Sequence, residues 1–279
     1  MVITIIGLGL IGGSLAIDLR EKGIAETLIG VDNNAKNTND ALRIGLVDEI
    51  RKLDEAIELA DLIILAIPVD QTKMLLQEVL DKIKASTAVM DVGSTKEGIC
   101  LVADKHKKRS NFVATHPIAG TENFGPLGAI RGLFNNKLTI ICDADKSAEF
   151  AIDKVKSMYT AVGMKIINFN SKEHDLHAAY VSHLSHISSF TLGKSEETIF
   201  ELAGSGFAST VRLAKSSADM WAPIFQQNSH HLSRALGAYI DKLVLFKEYI
   251  EKHETGKIHD LIKEANDIRR ILDGKNLTL

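Results

Sequence analysis

The stretch VITIIGLGLIGGSLAIDLREKG, residues 2 to 23, decides how the rest of the chain is read. Val2–Ile6 is an apolar run without alternation, which suits a strand covered on both faces. The segment SLAIDLREKG carries helical spacing and ends at Gly23, a residue suited to a helix C-terminus. Between strand and helix lies Gly7-x-Gly9-x-x-Gly12. Asp32 ends the next apolar run, Thr27–Val31, 20 residues past Gly12. Strand, glycine turn, helix and a following acid together form a dinucleotide-binding fingerprint, which a lone three-glycine pattern would not.

Each residue of the fingerprint has a physical task. Gly7 makes the tight turn, Gly9 lets the backbone approach a pyrophosphate, and Gly12 lets helix and strand pack closely. Leu10 and Ile11 open the helix, whose free N–H groups and positive dipole end face the phosphates. Asp32 accepts hydrogen bonds from the adenosine ribose hydroxyls and repels a 2′-phosphate. NAD is therefore expected as cofactor; NADP is not excluded, because Asn33, Asn34 and Lys36 offer partners for a phosphate.

Outward from this unit, short β-rich runs alternate with helical patterns as far as residue 169. The runs are Leu62–Ile67, Thr87–Met90, Phe112–Ala114, Leu138–Ile141 and Lys165–Phe169. Such alternation predicts an α/β fold with a Rossmann-type doubly wound sheet. After Asn170 the strand signals stop, and helical spacing takes over through 170–195 and near 196–215, 228–252 and 257–273. The expected organisation is a dinucleotide-binding domain over residues 1–169 and an all-α domain over 170–279.

The 279 residues are 45% hydrophobic, and 33 basic against 36 acidic side chains leave a net charge of −3. That balance gives no basic surface for nucleic acid or anionic lipid. Two cysteines, Cys100 and Cys142, are too few for a disulfide framework. The apolar first 17 residues lack the positive start of a signal peptide, and no run reaches the roughly 18 apolar residues that span a bilayer. A cytoplasmic protein without membrane or nucleic-acid partners is expected.

The segment THPIAGTENFG, residues 115 to 125, brings His116 to the carboxyl end of a predicted strand, and DVGSTK, residues 91 to 96, brings Ser94 and Lys96 to the neighbouring one. Ligands of open α/β sheets bind at that rim. Ser beside His suits a nucleophile and its base; beside a nicotinamide, His116 instead suits a base that takes a hydroxyl proton as hydride leaves. A loop-stabilising histidine is the alternative. Asp175, His183 and His186 share one predicted helix, the two histidines one turn apart. They read as core histidines, as metal ligands completed by His174 or His177, or as donors to an anionic substrate. No HExxH-like pattern supports a metal, and none is expected. Arg212 is either a surface charge or a bidentate clamp for a carboxylate.

GLGLIGGSLA, DVGSTK, THPIAGTE, HDxxxAxxSHLxH, GSGF…TxR and MW, in that order, resemble the prephenate dehydrogenase family across nearly the whole chain. The resemblance implies NAD(P)-dependent oxidative decarboxylation of prephenate, or of arogenate, between a Rossmann domain and a helical domain that forms a homodimer. It implies that His116 takes the proton of the C4 hydroxyl and that Ser94 bonds the same hydroxyl. His183, His186 and Arg212 would hold the carboxylates of a small substrate carrying two of them, while Thr121 and Glu122 close the pocket or bridge the dimer.

Two departures stand out. The family's SHLPH is Ser182-His183-Leu184-Ser185-His186 here, so a proline kink is expected to be lost while both histidines stay. Ala208-Ser209 replaces a basic residue and an aspartate common after GSGF, which bears on side-chain preference and subunit contacts. No chorismate mutase segment or β-rich regulatory domain is read, so the chain is expected to be the bare catalytic unit. The competing readings are a β-hydroxyacid dehydrogenase or imine reductase, without THPIAG and SHLxH, and a dinucleotide-sensing regulator, which needs no His116.

Overall fold

The structure is a computed structural model and describes residues 1–121, 123–194 and 202–268. Its centre is an eight-stranded sheet ordered β3-β2-β1-β4-β5-β6-β7-β8. The strands are β1 (Val2–Ile6), β2 (Thr27–Val31), β3 (Glu49–Ile50), β4 (Leu62–Leu65), β5 (Ala88–Asp91), β6 (Phe112–Ile118), β7 (Leu138–Cys142) and β8 (Lys165–Phe169). Helices α1 (Leu10–Glu21), α2 (Ala35–Arg43), α3 (Leu53–Leu59), α4 (Val69–Lys82), α5 (Glu97–Ala103) and α6 (Glu149–Ala161) connect them.

The unbroken apolar strands follow from this layering, because alternate residues serve opposite faces. Ile3 and Ile5 of β1, Leu62 and Ile64 of β4, and Ala88 and Met90 of β5 pack with Leu15 and Leu19 of α1 and with Val155 and Tyr159 of α6. Their neighbours Ile63, Leu65 and Val89 face the other way, onto Ile57 of α3, Leu76 and Leu80 of α4, and Ile99 of α5. The doubly wound sheet expected from the sequence is present.

Strands β1 to β6 run parallel. Among the described residues no long helix separates β6 from β7, and β7 returns antiparallel, pairing with β6 from Ala114↔Cys142 to Ile118↔Leu138. This corrects the expected end of the strand at Ala114. Chain 112–118 stays extended, and His116 sits opposite Ile140 inside the ladder rather than in a loop. On its other side, β5 stops at the pair Asp91↔Ala114, so His116 projects past the last parallel partner. The two-residue β3 carries no sequence signal of its own.

After β8 come α7 (Ser171–Ala178), α8 (Leu184–Gly193), α9 (Ser205–Thr210), α10 (Ala218–Gln227), α11 (Ser229–Glu251) and α12 (Thr255–Asn266). Parts of the helical stretches predicted near 196–215 and 257–273 lie outside the described residues. A π-helical turn, Ala179–His183, joins α7 to α8, so the backbone is irregular at this motif even without the family's proline. The chain forms two compact units, Met1–Leu232 and Ser233–Leu279, the first holding the sheet together with α7 to α10.

Candidate active site

The turn after β1 has the stereochemistry the glycines predict. Gly7 has φ +99°, and a side chain there would collide with the Ala66 carbonyl. A Cβ on Gly12 would strike the Gly7 carbonyl, whereas one on Gly9 would meet nothing. The open side of Gly9 is the space a pyrophosphate needs. No side chain caps the N-terminus of α1, and no acid occupies its first turn. Gly9, Leu10 and Ile11 are all part-exposed at this mouth.

Asp32 directly follows β2, beside this turn. Its carboxylate accepts from Leu8 N (3.0 Å) and Asn34 N (2.8 Å), with Asn37 Nδ2 at 3.3 Å. A carboxylate has about four acceptor positions, so it retains capacity for ribose hydroxyls. Asn34 is committed to capping α2, accepting from Lys36 N and Asn37 N, and Lys36 points to solvent. These residues fit a dinucleotide with an unphosphorylated ribose.

Along the same rim, a buried ion pair ties β5 to β6. The Lys96 ammonium is fully enclosed and bonds Asp91 Oδ2 and the Thr115 carbonyl. Asp91 also accepts from Gly93 N (2.9 Å) and Thr115 N (3.2 Å). Thr115 and Lys96 thus fix the backbone on which His116 rides. His116 Nδ1 lies 2.8 Å from His174 Nε2, and His174 Nδ1 lies 2.8 Å from Asp175 Oδ1. Burial, then His174, Lys96 and His183, hold the His116 imidazole well below its ordinary range, so it is neutral and available as a base at neutral pH. Ser94 is part-buried one strand away, and its hydroxyl has no hydrogen-bond partner among the described residues.

The histidines of the helical segment stand in an aromatic nest. The His186 ring stacks on Trp221, centroids 3.5 Å apart, while its Nδ1 meets the Ser182 carbonyl at 2.9 Å. His183 is completely enclosed, T-shaped against Trp221, and 3.1 Å from Asn228 Nδ2. Burial pushes its imidazole down to about 4. Burial also lowers His186, and the nearby Arg212 cation adds to the effect. Arg212 itself is exposed and has no ion-pair partner among the described residues. His183 Nε2, Trp221 Nε1, Ser189 Oγ and Asn228 Oδ1 are buried without hydrogen-bond partners there, an arrangement that calls for a ligand or bound water.

Comparison with known proteins agrees with this geometry. A family model described as the prephenate dehydrogenase nucleotide-binding domain matches residues 15–168, and one for the prephenate dehydrogenase dimerization domain matches 170–264. The chain belongs to the prephenate dehydrogenase family. It is an oxidoreductase with a nucleotide-binding domain. It is 28% identical over 277 residues to the prephenate dehydrogenase of Bacillus subtilis, covering 96% of this chain and 75% of that one. It is 26% identical to a cyclohexadienyl dehydrogenase of Zymomonas mobilis, covering 97% and 95%. The crystal structure of the Aquifex aeolicus prephenate dehydrogenase with hydroxyphenyl propionate and NAD+ superimposes with a TM-score of 0.88 at 28% identity, covering 98% of each chain.

For a prephenate dehydrogenase, the structure gathers some of the expected residues and leaves others apart. Ser94 and His116 share the carboxyl rim with Gly7, Gly9, Gly12 and Asp32. His186 lies within electrostatic reach of Arg212. His183 is completely enclosed, with the rings of Trp221 and Phe225 packed against it. Thr121 is exposed, its hydroxyl accepting from Asn123 N, and Glu122 lies outside the described residues. Ala208 and Ser209 are both exposed on α9. His174 bonds His116 and Asp175, and His177 packs on Phe169; among the described residues no group of three His, Cys, Asp or Glu side chains is placed to hold a metal. Sequence reasoning brought Lys96 to this rim but missed its burial and its pairing with Asp91, and it missed the role of Trp221 and the pairing of His174 with His116. DVGSTK and MW were quoted as motifs, but nothing local signals that Lys96 is buried or that Trp221 stacks on His186.

Proposed function

We infer that the chain oxidises prephenate to 4-hydroxyphenylpyruvate with loss of CO2, as a step of tyrosine biosynthesis. The observation that carries this reading is a neutral, buried-sided His116 on the same sheet rim as the dinucleotide turn. Bound NAD supplies the acceptor for the hydride that leaves C4. His116 accepts the proton of the C4 hydroxyl, so that charge does not build on that oxygen as the hydride departs. Ser94 bonds the same hydroxyl and fixes its direction. Departure of the C1 carboxylate as CO2 makes the ring aromatic, a strongly downhill step that leaves the protein chiefly to position groups.

The substrate's carboxylates are assigned to Arg212 and His186, with His183 behind them. Because burial keeps both imidazoles low, Arg212 provides the charge; neutral His186 spends its one N–H on the Ser182 carbonyl, and His183, whose Nδ1 accepts from Asn228, keeps an N–H free at Nε2. Thr121 and Glu122 are assigned to the pocket mouth. The functional division is placed at residue 170, with 1–169 for cofactor and 170–279 for substrate and dimerisation. Support for a homodimer comes from the description of the second family model. Ile240, Leu243, Val244 and Ile250 are also exposed along α11. No described helix is long and apolar enough to cross a membrane, and the site assigned here takes a water-soluble substrate; we place the protein in the cytoplasm.

Arogenate is the second reading, since exposed Ala208 and Ser209 offer no charge pair to read an amino or a keto side chain. The test is formation of reduced nicotinamide from NAD with each compound in turn. Turnover of prephenate with the larger kcat/KM supports the main reading, and turnover of arogenate alone replaces it. No turnover of either, with NAD still bound, removes both.

A further inference from the structure

His174 and Asp175 are adjacent in sequence but lie 58 and 59 residues beyond His116, and the fold lines all three up behind the rim. Asp175 is 1% exposed and His174 2%. The Asp175 carboxylate accepts two backbone amides at the start of α5, Lys96 N to Oδ1 (2.7 Å) and Glu97 N to Oδ2 (2.9 Å). Its remaining neighbour is His174 Nδ1, at 2.8 Å from Oδ1. An ionised carboxylate only accepts, so His174 Nδ1 carries a proton and donates it. With its ring proton held there, the other nitrogen, His174 Nε2, is left with its lone pair. It accepts, which makes His116 Nδ1 the donor across their 2.8 Å contact. The His116 nitrogen left with a free lone pair is Nε2.

We propose that His174 and Asp175 form a positioning relay that fixes the tautomer of His116 and receives the positive charge created when His116 takes the substrate proton. The inference rests on the reading of His116 as the base. The proton of the substrate hydroxyl arrives at His116 Nε2, and the Nδ1 proton moves across to His174 Nε2. His174 becomes an imidazolium beside the Asp175 carboxylate, and the electron pair of the broken C–H bond leaves as hydride to NAD. No further reactant is needed.

The other charges facing this pair give the cation no better home. Asp91 and Lys96, from β5 and its loop, are already paired. Glu97 of α5 meets His231 of α11 at 3.2 Å, and His183 is a neutral ring. Asp175 is the one carboxylate in hydrogen-bond contact with the relay among the described residues.

Two measurements test the proposal. Ring-nitrogen NMR of the full-length parent at neutral pH, without substrate or cofactor, should find His116 protonated at Nδ1 and bare at Nε2. The opposite tautomer overturns the relay. In steady-state kinetics, His174→Phe removes the acceptor and keeps a ring, and should lower kcat by roughly 10²–10⁴ with KM for NAD unchanged. His174→Gln restores an acceptor and a donor and should recover at least roughly tenfold of the loss. Equal kcat for the Phe variant and the parent, or equal loss in both variants, overturns the relay. A parent that oxidises neither prephenate nor arogenate sinks the proposed function; the nitrogen spectra still decide the tautomer.

Discussion

His183 should leave a measurable mark on how stability depends on pH. Its imidazole is completely enclosed, and burial lowers it from an ordinary value of 6.5 to about 4. The unfolded chain binds a proton at that histidine below about pH 6.5, while the folded chain refuses it until about pH 4. Folding therefore keeps its full stability above the unfolded value and loses it as pH falls through this window. A displacement from 6.5 to about 4 corresponds to about 3 kcal/mol, of which about 2 kcal/mol is lost between about pH 7 and about pH 4.5. The perturbation is His183→Gln, which cannot titrate. It also disturbs the contact with Asn228 Nδ2, costing about 1 kcal/mol at every pH. The test therefore rests on the slope and not on the offset. Urea unfolding of parent and variant at both pH values should show the variant losing about 2 kcal/mol less on acidification. Equal losses would mean that His183 is not held neutral by burial, and the assignment of His183 as a neutral donor would fall with it.

His116→Asn should lower kcat by roughly 10²–10⁴ while NAD still binds, since a general base contributes about that much; fluorescence titration with NADH and initial rates measure both. Arg212→Ala should chiefly raise KM for prephenate, because a carboxylate contact acts on ground and transition states alike; an unchanged KM returns Arg212 to the solvent. Asp32→Ala should raise KM for NAD at least roughly tenfold, one charge-assisted hydrogen bond's worth, with NADP used relatively better. Lys96→Met strands Asp91, 1% exposed, as an unpaired acid and should cost about 3–5 kcal/mol in urea unfolding, most of it recovered by adding Asp91→Leu. A single variant as stable as the double one would deny the ion pair its structural role.

What could be read from the residues was what depends on near neighbours. Strands buried on both faces announce themselves as unbroken apolar runs, so β1, β2 and β8 were found with their observed limits. The glycine turn was legible because each glycine answers a local steric demand. The extension of β6 through His116 was not, because it exists only by pairing with a strand that returns 20 residues later, Ile118↔Leu138. Lys96 was legible as a rim residue beside Ser94, but its burial was not, because that depends on Asp91 and Thr115 arriving from adjoining strands. His174 was weighed as a metal ligand because spacing reports helix faces, and its true neighbour His116 lies on the sheet. Ala179–His183 read as ordinary helix, since an i→i+5 turn has no residue signature of its own.

That wide turn governs angular phase. In a regular α-helix each residue advances the azimuth by about 100°, whereas a π turn accommodates an additional residue within nearly the same arc. Asp175 upstream and His183 at its end are brought into reach of a single side chain, Asn228, whose amide donates to the Asp175 carbonyl at 2.7 Å and lies 3.1 Å from His183 Nδ1. Wound as uniform α-helix, the same residues would swing everything downstream by about 100°. His186 would turn off the Trp221 plane while Asp175 kept its place behind His116. One continuous rod thus serves two differently oriented jobs, and the widened turn is the gear that sets the angle between them.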